Sequence, residues 1–387
     1  MSAHPERVPL HTVSDLMVPG EPLPFRVLDA EGRLLLAQGQ RVMDVRQLQV
    51  LLERGASVIY EEAQAVRAAR AKGAGPGSGM TLSTRKLTWF DRWERHVWDI
   101  DDTLRGLSKG AGNLIALNEL VDQQIALVAG QPDAAIFTLV RQNDRRFALY
   151  ALVHARFTAM AVQLTAGVMG WPGEKTRSAV AAALTMNLSI VELQAHMAEQ
   201  ADPPTKKQLE QIRAHPGQSV ALLKATGVDD AAWLSAVEDH HEQLGGAGYP
   251  RAISSPNELA RLLRACDVFT AKISPRALRP PLLSQVAARQ LFQEDKGGLM
   301  ASSLIKAIGV YPPGDLVKLK NGESGVVVRR LGAGLEVAVL LNASGRPVVG
   351  GPRRNTGEPD MGISGPLQDR AGLPRVLPEQ VFGLLYA

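Results

Sequence analysis

Cysteine is almost absent from this chain of 387 residues, with Cys266 the single copy. That excludes an intrachain disulfide and any thiolate zinc cluster, and it fits a reducing compartment. A strong charge of either sign is also lacking. The 43 Lys and Arg against 39 Asp and Glu leave a net charge of +4, too mild to argue for a nucleic-acid partner. The opening MSAHPERVPLHTVSDLMVPG has no uninterrupted apolar core of the signal-peptide kind. No later stretch offers about 18 apolar residues free of charge. The expectation is a cytoplasmic chain without membrane insertion. No internal repeat is visible. With 45% hydrophobic residues, the composition suits ordinary globular cores, and the length allows two or three domains.

Residues 1–66 read as a small α+β module. PLPFRVLDAEGRLLLAQGQRV gives two apolar runs around a turn at Asp29-Ala30-Glu31-Gly32, and VRQLQVLLERGASVIY gives an amphipathic helix closed by Gly55, then a strand. The Ala, Gly and Ser enrichment of RAARAKGAGPGSGMTLS marks a linker over 67–85. From 86 to 308, strand signals nearly vanish and apolar residues recur at helical spacing, so this span is expected to be all-helical. The Trp cluster in LTWFDRWERHVW reads as packing. After Gly309, short β-rich runs around Asn321-Gly322 and Asn342 to Gly345 predict a β-rich appendage over 309–387, with GGPRRNTGEPDMGISG as an irregular loop.

The most specific stretch is His240-His241-Glu242-Gln243-Leu244-Gly245-Gly246-Ala247-Gly248-Tyr249-Pro250. Two adjacent imidazoles feeding a glycine-rich turn suggest a metal or phosphate site. Gly246 and Gly248 permit a sharp loop that Tyr249-Pro250 stiffens. Downstream, Asp267 shares the apolar stripe of a helix with Leu259 and Leu263. An unpaired carboxylate there would cost several kcal/mol, so it needs a partner.

This stretch resembles the HHExxDGxGYP signature of HD-GYP domains, except that Gly245 stands at the aspartate. HD-GYP domains are a branch of the HD metal-dependent phosphohydrolases that usually hydrolyse cyclic di-GMP. The resemblance spans roughly residues 130 to 310. It implies a mainly α fold: an all-helical HD-GYP domain between a small N-terminal α+β module and a short C-terminal β appendage. It places metal ligands at His215, His240 and His241 for one metal, and His154 and Asp267 beside the other. Arg276 and Arg279 fall on phosphate-contacting positions, where a guanidinium fork suits phosphate oxygens. Gly248, Tyr249 and Pro250 form the loop that gives the family half its name.

The same resemblance exposes a break. Where the family reads HDIGK, this chain reads Met186-Asn187-Leu188-Ser189-Ile190, within an expected apolar helix. Asn187 cannot supply a bridging carboxylate, and Met186 offers a soft thioether poorly matched to iron or manganese. Ile190 can neither donate a proton nor stabilise an oxyanion. No catalytic residue is therefore assigned. Tyr150 stands where some members carry a further glutamate ligand. The resemblance thus implies a degenerate member of cyclic di-GMP signalling that binds a nucleotide or a partner protein, with phosphodiesterase activity lost or impaired. The alternative is a weakly active single-metal phosphodiesterase. The implied cofactor is one divalent ion, Fe, Mn or Zn, or none. The implied partners are cyclic di-GMP or a related nucleotide, a diguanylate cyclase or other signalling protein, and a second copy of the chain in a homodimer. Met186 is expected to fill space among the surviving histidines. His215, preceding Pro216, also reads as a residue near a helix start. His4, His11, His96 and His196 read as surface or linker residues.

Overall fold

A computed structural model describes residues 5–43, 45–73, 87–142, 146–348, 350–367 and 378–383, with Leu373 and Val376. Strands β1 (Arg7–Pro9), β2 (Val27–Leu28), β3 (Leu34–Leu36) and β4 (Ser57–Ile59) form one antiparallel sheet in the order β1-β4-β2-β3. The β2–β3 hairpin turns at the expected residues. Asp29 Oδ1 accepts the Glu31 and Arg33 amides at 3.0 and 2.8 Å, and Gly32 takes the left-handed φ of +90° that the turn requires. Helices α1 (Val45–Glu53) and α2 (Tyr60–Gly73) complete the module. Helix α2 runs into the expected linker, because alanine, arginine and lysine are strong helix formers and Glu61 and Glu62 favour its first turn. Residues 74–86, which include the rest of that linker, lie outside the described residues.

The helical body follows as α3 (Trp89–Ser108), α4 (Leu114–Gly130), α5 (Pro132–Val140), α6 (Tyr150–Val168), α7 (Gly173–Thr185), α8 (Val191–Glu199), α9 (Lys206–Thr226), α10 (Ala231–Asp239), α11 (Glu258–Ile273), α12 (Ser284–Glu294) and α13 (Leu299–Ile308). Their starts follow side-chain chemistry: Thr88 with Asp91 and Thr205 with Gln208 form capping boxes, and Asn257 accepts the Ala260 amide at 2.8 Å. Helix α6 is the axis of the core, buried on nearly every face. Two segments, Phe147–Val168 and Gly173–Glu199, are long and apolar enough to cross a membrane. However, 83% and 72% of their apolar windows are buried inside the protein, the position of core helices. Trp89, Trp93 and Trp98 are buried, with the first two stacked at 5.0 Å, so the Trp cluster packs as expected. The N-terminal module docks through Arg54, whose guanidinium pairs with the fully buried Asp101 of α3 at 2.7 and 2.6 Å.

Beyond α13, β5 (Leu316–Leu319), β6 (Ser324–Arg330), β7 (Leu335–Leu341), β8 (Arg353–Asn355) and β9 (Ile363–Pro366) make a second antiparallel sheet in the order β8-β7-β6-β5-β9. The segment expected to be an irregular loop contributes β8 and β9. Both are short edge strands held by backbone pairing, where charge and proline are tolerated and no apolar alternation is needed. Arg330 pairs with Asp133 of α5 at 2.6 Å, and Phe382 of α14 (Pro378–Phe382) packs edge-on against Phe137, so this sheet leans on the helical body.

Three expectations change. The Met186 to Ile190 segment is not inside a helix: α7 ends at Thr185 and Leu188–Ile190 forms a single 3-10 turn before α8. Ser189 fastens that turn to α9, its Oγ donating to the His215 carbonyl at 3.1 Å while its amide meets Ser219 Oγ at 3.2 Å. His215 is not near a helix start either. The Thr205 cap begins α9 well upstream, and Pro216 lies inside that helix. His96 is a core residue of α3, only 1% exposed. Burial, reinforced by the charge of Arg156, pushes its pKa down to about 3. His11 and His196 are exposed, and His4 lies outside the described residues.

Candidate metal centre

Helix α9 carries His215 at mid-length, and α10 ends into His240 and His241. One ring nitrogen from each of the three lies within 4.8 Å of the others, the sole such grouping of potential ligands among the described residues. The orientation of two rings is fixed from behind. His215 Nδ1 meets the Ile212 carbonyl at 2.5 Å, and His240 Nδ1 meets the Val237 carbonyl at 2.6 Å. A carbonyl only accepts, so both Nδ1 atoms carry hydrogens and both Nε2 atoms of the neutral rings present lone pairs. Those two Nε2 atoms face each other at 3.1 Å with no hydrogen to share. Opposed lone pairs in a buried site repel unless a cation lies between them.

Burial keeps all three rings neutral. It pushes His215 down to about 3 and His241 to about 2, with the His240 ring adding to both, and it lowers His240 as well. Neutral imidazoles with lone pairs directed inward are the form that binds a divalent ion, and backbone carbonyls behind Nδ1 are the usual orienting partners. The donor set therefore fits one divalent metal, with three nitrogen ligands and room in the coordination sphere for a further group.

The glycine-rich loop closes over these rings. Glu242, 1% exposed, accepts the amides of Arg251 and Ile253 at 2.7 and 3.0 Å, so its carboxylate staples both ends of the turn. Sequence reasoning gave Glu242 no role. Its place directly after two histidines and before a glycine run was the available signal. A Cβ on Gly248 would sit 2.4 Å from the Glu242 Cα, so only glycine fits that close approach. Tyr249 then stacks on the His241 ring at 4.5 Å, and the Tyr249-Pro250 peptide bond is cis. Gly245, where the signature has aspartate, adopts φ +84°.

His154 and Asp267 form a separate pair. His154 Nε2 lies 2.7 Å from Asp267 Oδ1, and a hydrogen bond between Thr158 and Thr270 at 2.9 Å ties α6 to α11 alongside it. Burial opposes ionisation of Asp267, but the hydrogen bond and charge of His154 outweigh it and hold the carboxyl below the usual carboxylate range. Tyr150 stacks on His154, and its hydroxyl accepts two hydrogen bonds from the Arg276 guanidinium, which also lies 4.7 Å from the tyrosine ring centre. Arg279 donates to the Ala271 carbonyl at 2.6 Å. Met186 is fully buried in the apolar core, while Asn187 and Ile190 are buried at 8% and 5% exposure. A cleft of about 620 Å³ between α3 and α4 shares no residue with this centre, whereas one of about 560 Å³ adjoins it behind the glycine-rich loop.

Residues 137–297 match the family described as HD domain. The chain is 27% identical over 226 residues to the cyclic di-GMP phosphodiesterase PA4108 of Pseudomonas aeruginosa, covering 56% of this chain and 53% of that protein. It is 23% identical over 186 residues to the cyclic di-GMP phosphodiesterase PdeB of Borreliella burgdorferi, covering 46% and 48%. The chain thus spans about half the length of these curated relatives. Among solved structures, Bd1817, an HDG"Y"P protein from Bdellovibrio bacteriovorus, matches with a TM-score of 0.49 and 14% identity over 78% of this chain and 99% of that one. The segment that matches the HD family holds the imidazole cluster, so the match falls on the candidate site. More narrowly, the tandem histidines leading into a Gly-Tyr-Pro loop, together with these relatives, support an HD-GYP domain.

Proposed function

We propose that this protein acts in cyclic di-GMP signalling as an HD-GYP protein that keeps one metal position and has lost or strongly reduced phosphodiester hydrolysis. It then works by binding the nucleotide, or a signalling partner such as a diguanylate cyclase or a second copy of itself. One observation carries this reading: ring nitrogens of His215, His240 and His241 converge, while Met186 and Asn187, at the HD positions, are buried and provide no carboxylate. The named phosphodiesterase relatives support the nucleotide class. His215, His240 and His241 would hold a divalent ion, which supplies Lewis acidity toward a phosphate ester. Tyr150 holds the Arg276 guanidinium beside the His154–Asp267 pair, a ready position for a phosphate oxygen. Without the paired carboxylate and lysine, nothing from α7 or the turn after it stabilises a leaving oxygen.

Metal analysis by mass spectrometry on protein purified without chelators, with a cyclic di-GMP turnover assay on the same sample, tests this. The expected result is roughly one ion per chain, lost in His240→Ala, with nucleotide binding but no measurable turnover. A second reading, a weak single-metal phosphodiesterase, is favoured by the preset lone pairs of His215 and His240. Metal-dependent turnover that His240→Ala abolishes would replace the first reading with this one.

A further inference from the structure

Behind the Gly-Tyr-Pro loop, α11 and the turn between α12 and α13 enclose the cleft of about 560 Å³. Arg261 and Arg264, one helical turn apart on α11, line it together with Lys296. Both arginines are half-buried, and among the described residues neither side chain makes a hydrogen bond or ion pair. The carboxylates of the same cleft are already engaged. Glu242 accepts two backbone amides, Glu294 pairs with Lys272 at 2.9 Å, and Asp295 accepts the Ala301 amide at 3.0 Å. The uncommitted charge is therefore positive. Half-buried guanidiniums without partners keep their fork of donors free, and planar N–H pairs match tetrahedral oxyanions. Arg264 also acts electrostatically on His240, His241 and Tyr249, so the cleft and the imidazole cluster share the loop as a common wall.

We propose that this cleft is an anion subsite, distinct from the imidazole cluster and from Arg276, that takes a phosphate monoester. The anion site stands on the arginines alone. The choice of phosphate among oxyanions rests on the phosphodiester reading of the neighbouring histidines. The subsite gives the loop a ligand on its outer side, so occupation there is felt by Glu242 and, through it, by the turn that carries His240 and His241.

The test uses the full chain held metal-free in chelator, so that failure of the metal reading leaves it unaffected. Calorimetric titration compares guanosine 5′-monophosphate, inorganic phosphate and guanosine. The two phosphate-bearing probes should bind and guanosine should not, with affinity falling as salt rises. Tighter binding of the nucleotide than of phosphate assigns the source as a nucleotide, and equal binding assigns free phosphate. Arg261→Gln and Arg264→Gln should each weaken binding by about tenfold. Thermal unfolding of each variant with and without phosphate gives a second reading, since a folded variant that has lost the site loses the ligand-induced rise in Tm. Unchanged phosphate affinity in the folded double variant, or guanosine binding as well as its monophosphate, would overturn the proposal.

Discussion

At the His215, His240 and His241 end of the centre, two buried imidazoles and a partly buried third bring ring nitrogens together with no acid among them. At the His154 end, a single imidazole donates to a carboxylate, and its Nδ1 is a buried nitrogen without a hydrogen-bond partner. Burial is the largest influence on the protonation of the first group, with the neighbouring rings adding to it. In the second, burial and pairing compete and pairing wins. The lesson is that polar groups of similar type, within electrostatic reach of each other, serve different ends according to whether their partner lies inside the protein. The Asp267 carboxylate has its partner within the protein. Two rings of the histidine trio have orienting bonds from behind, and their facing nitrogens have no hydrogen between them, an arrangement that fits a cation.

The largest expected effect breaks the self-sufficient end. Asp267→Ala leaves His154 buried beside a void and should destabilise the fold by about 3 kcal/mol, read from urea unfolding, while metal content stays near that of the parent. A large loss of metal with little loss of stability would invert the comparison. Gly248→Ala strikes the trio from its loop side. The added Cβ collides with the backbone at Glu242, so a loss of about 2 kcal/mol is expected, together with weakened metal binding because His241 follows the loop.

Acidity separates the two ends without mutation. The histidines are neutral when folded, with His215 held down to about 3, but in the unfolded chain they take up protons near the ordinary value of 6.5. Their contribution is intact above pH 6.5 and falls as pH drops from there toward 3. Asp267, also depressed, loses its contribution only below the ordinary carboxyl value of 3.8. Calorimetric Tm values of the metal-free chain should therefore fall in two stages. The earlier stage should shrink in a His215→Phe/His241→Phe variant, and a single stage beginning near 3.8 would contradict the histidine assignment. The smallest effect is expected for Tyr150→Phe, which frees Arg276 from the tyrosine hydroxyl at a cost of about 1 kcal/mol and should weaken nucleotide binding without changing metal content.

Much of this could be read along the chain. Helical periodicity gave the body from α3 to α13, and the order of His154, His215, His240, His241 and Asp267 announced a family site, because motif spacing survives in one dimension. The need of Asp267 for a partner was legible from its place on an apolar stripe. The edge strands β8 and β9 were not, since backbone pairing and ion pairs such as Arg354–Glu323, with no apolar alternation, hold them. The turn at Leu188–Ile190 was also hidden, as it depends on Ser189 meeting α9. So was the core position of His96, because helical spacing does not say which neighbour covers a given face.

The sequence by itself determined which groups were available: three imidazoles without the HD pair, one carboxylate in an apolar stripe, and glycines where a loop must pass close to backbone. Only the tertiary structure decided what each became. Carbonyls three residues back fixed which nitrogen of His215 and His240 carries the hydrogen, a buried Glu242 stapled the loop, and α11 placed Asp267 against His154 while leaving Arg261 and Arg264 without side-chain partners among the described residues. Those outcomes depend on distances between segments far apart in the chain, and hydrogen bonding and desolvation act on such distances alone.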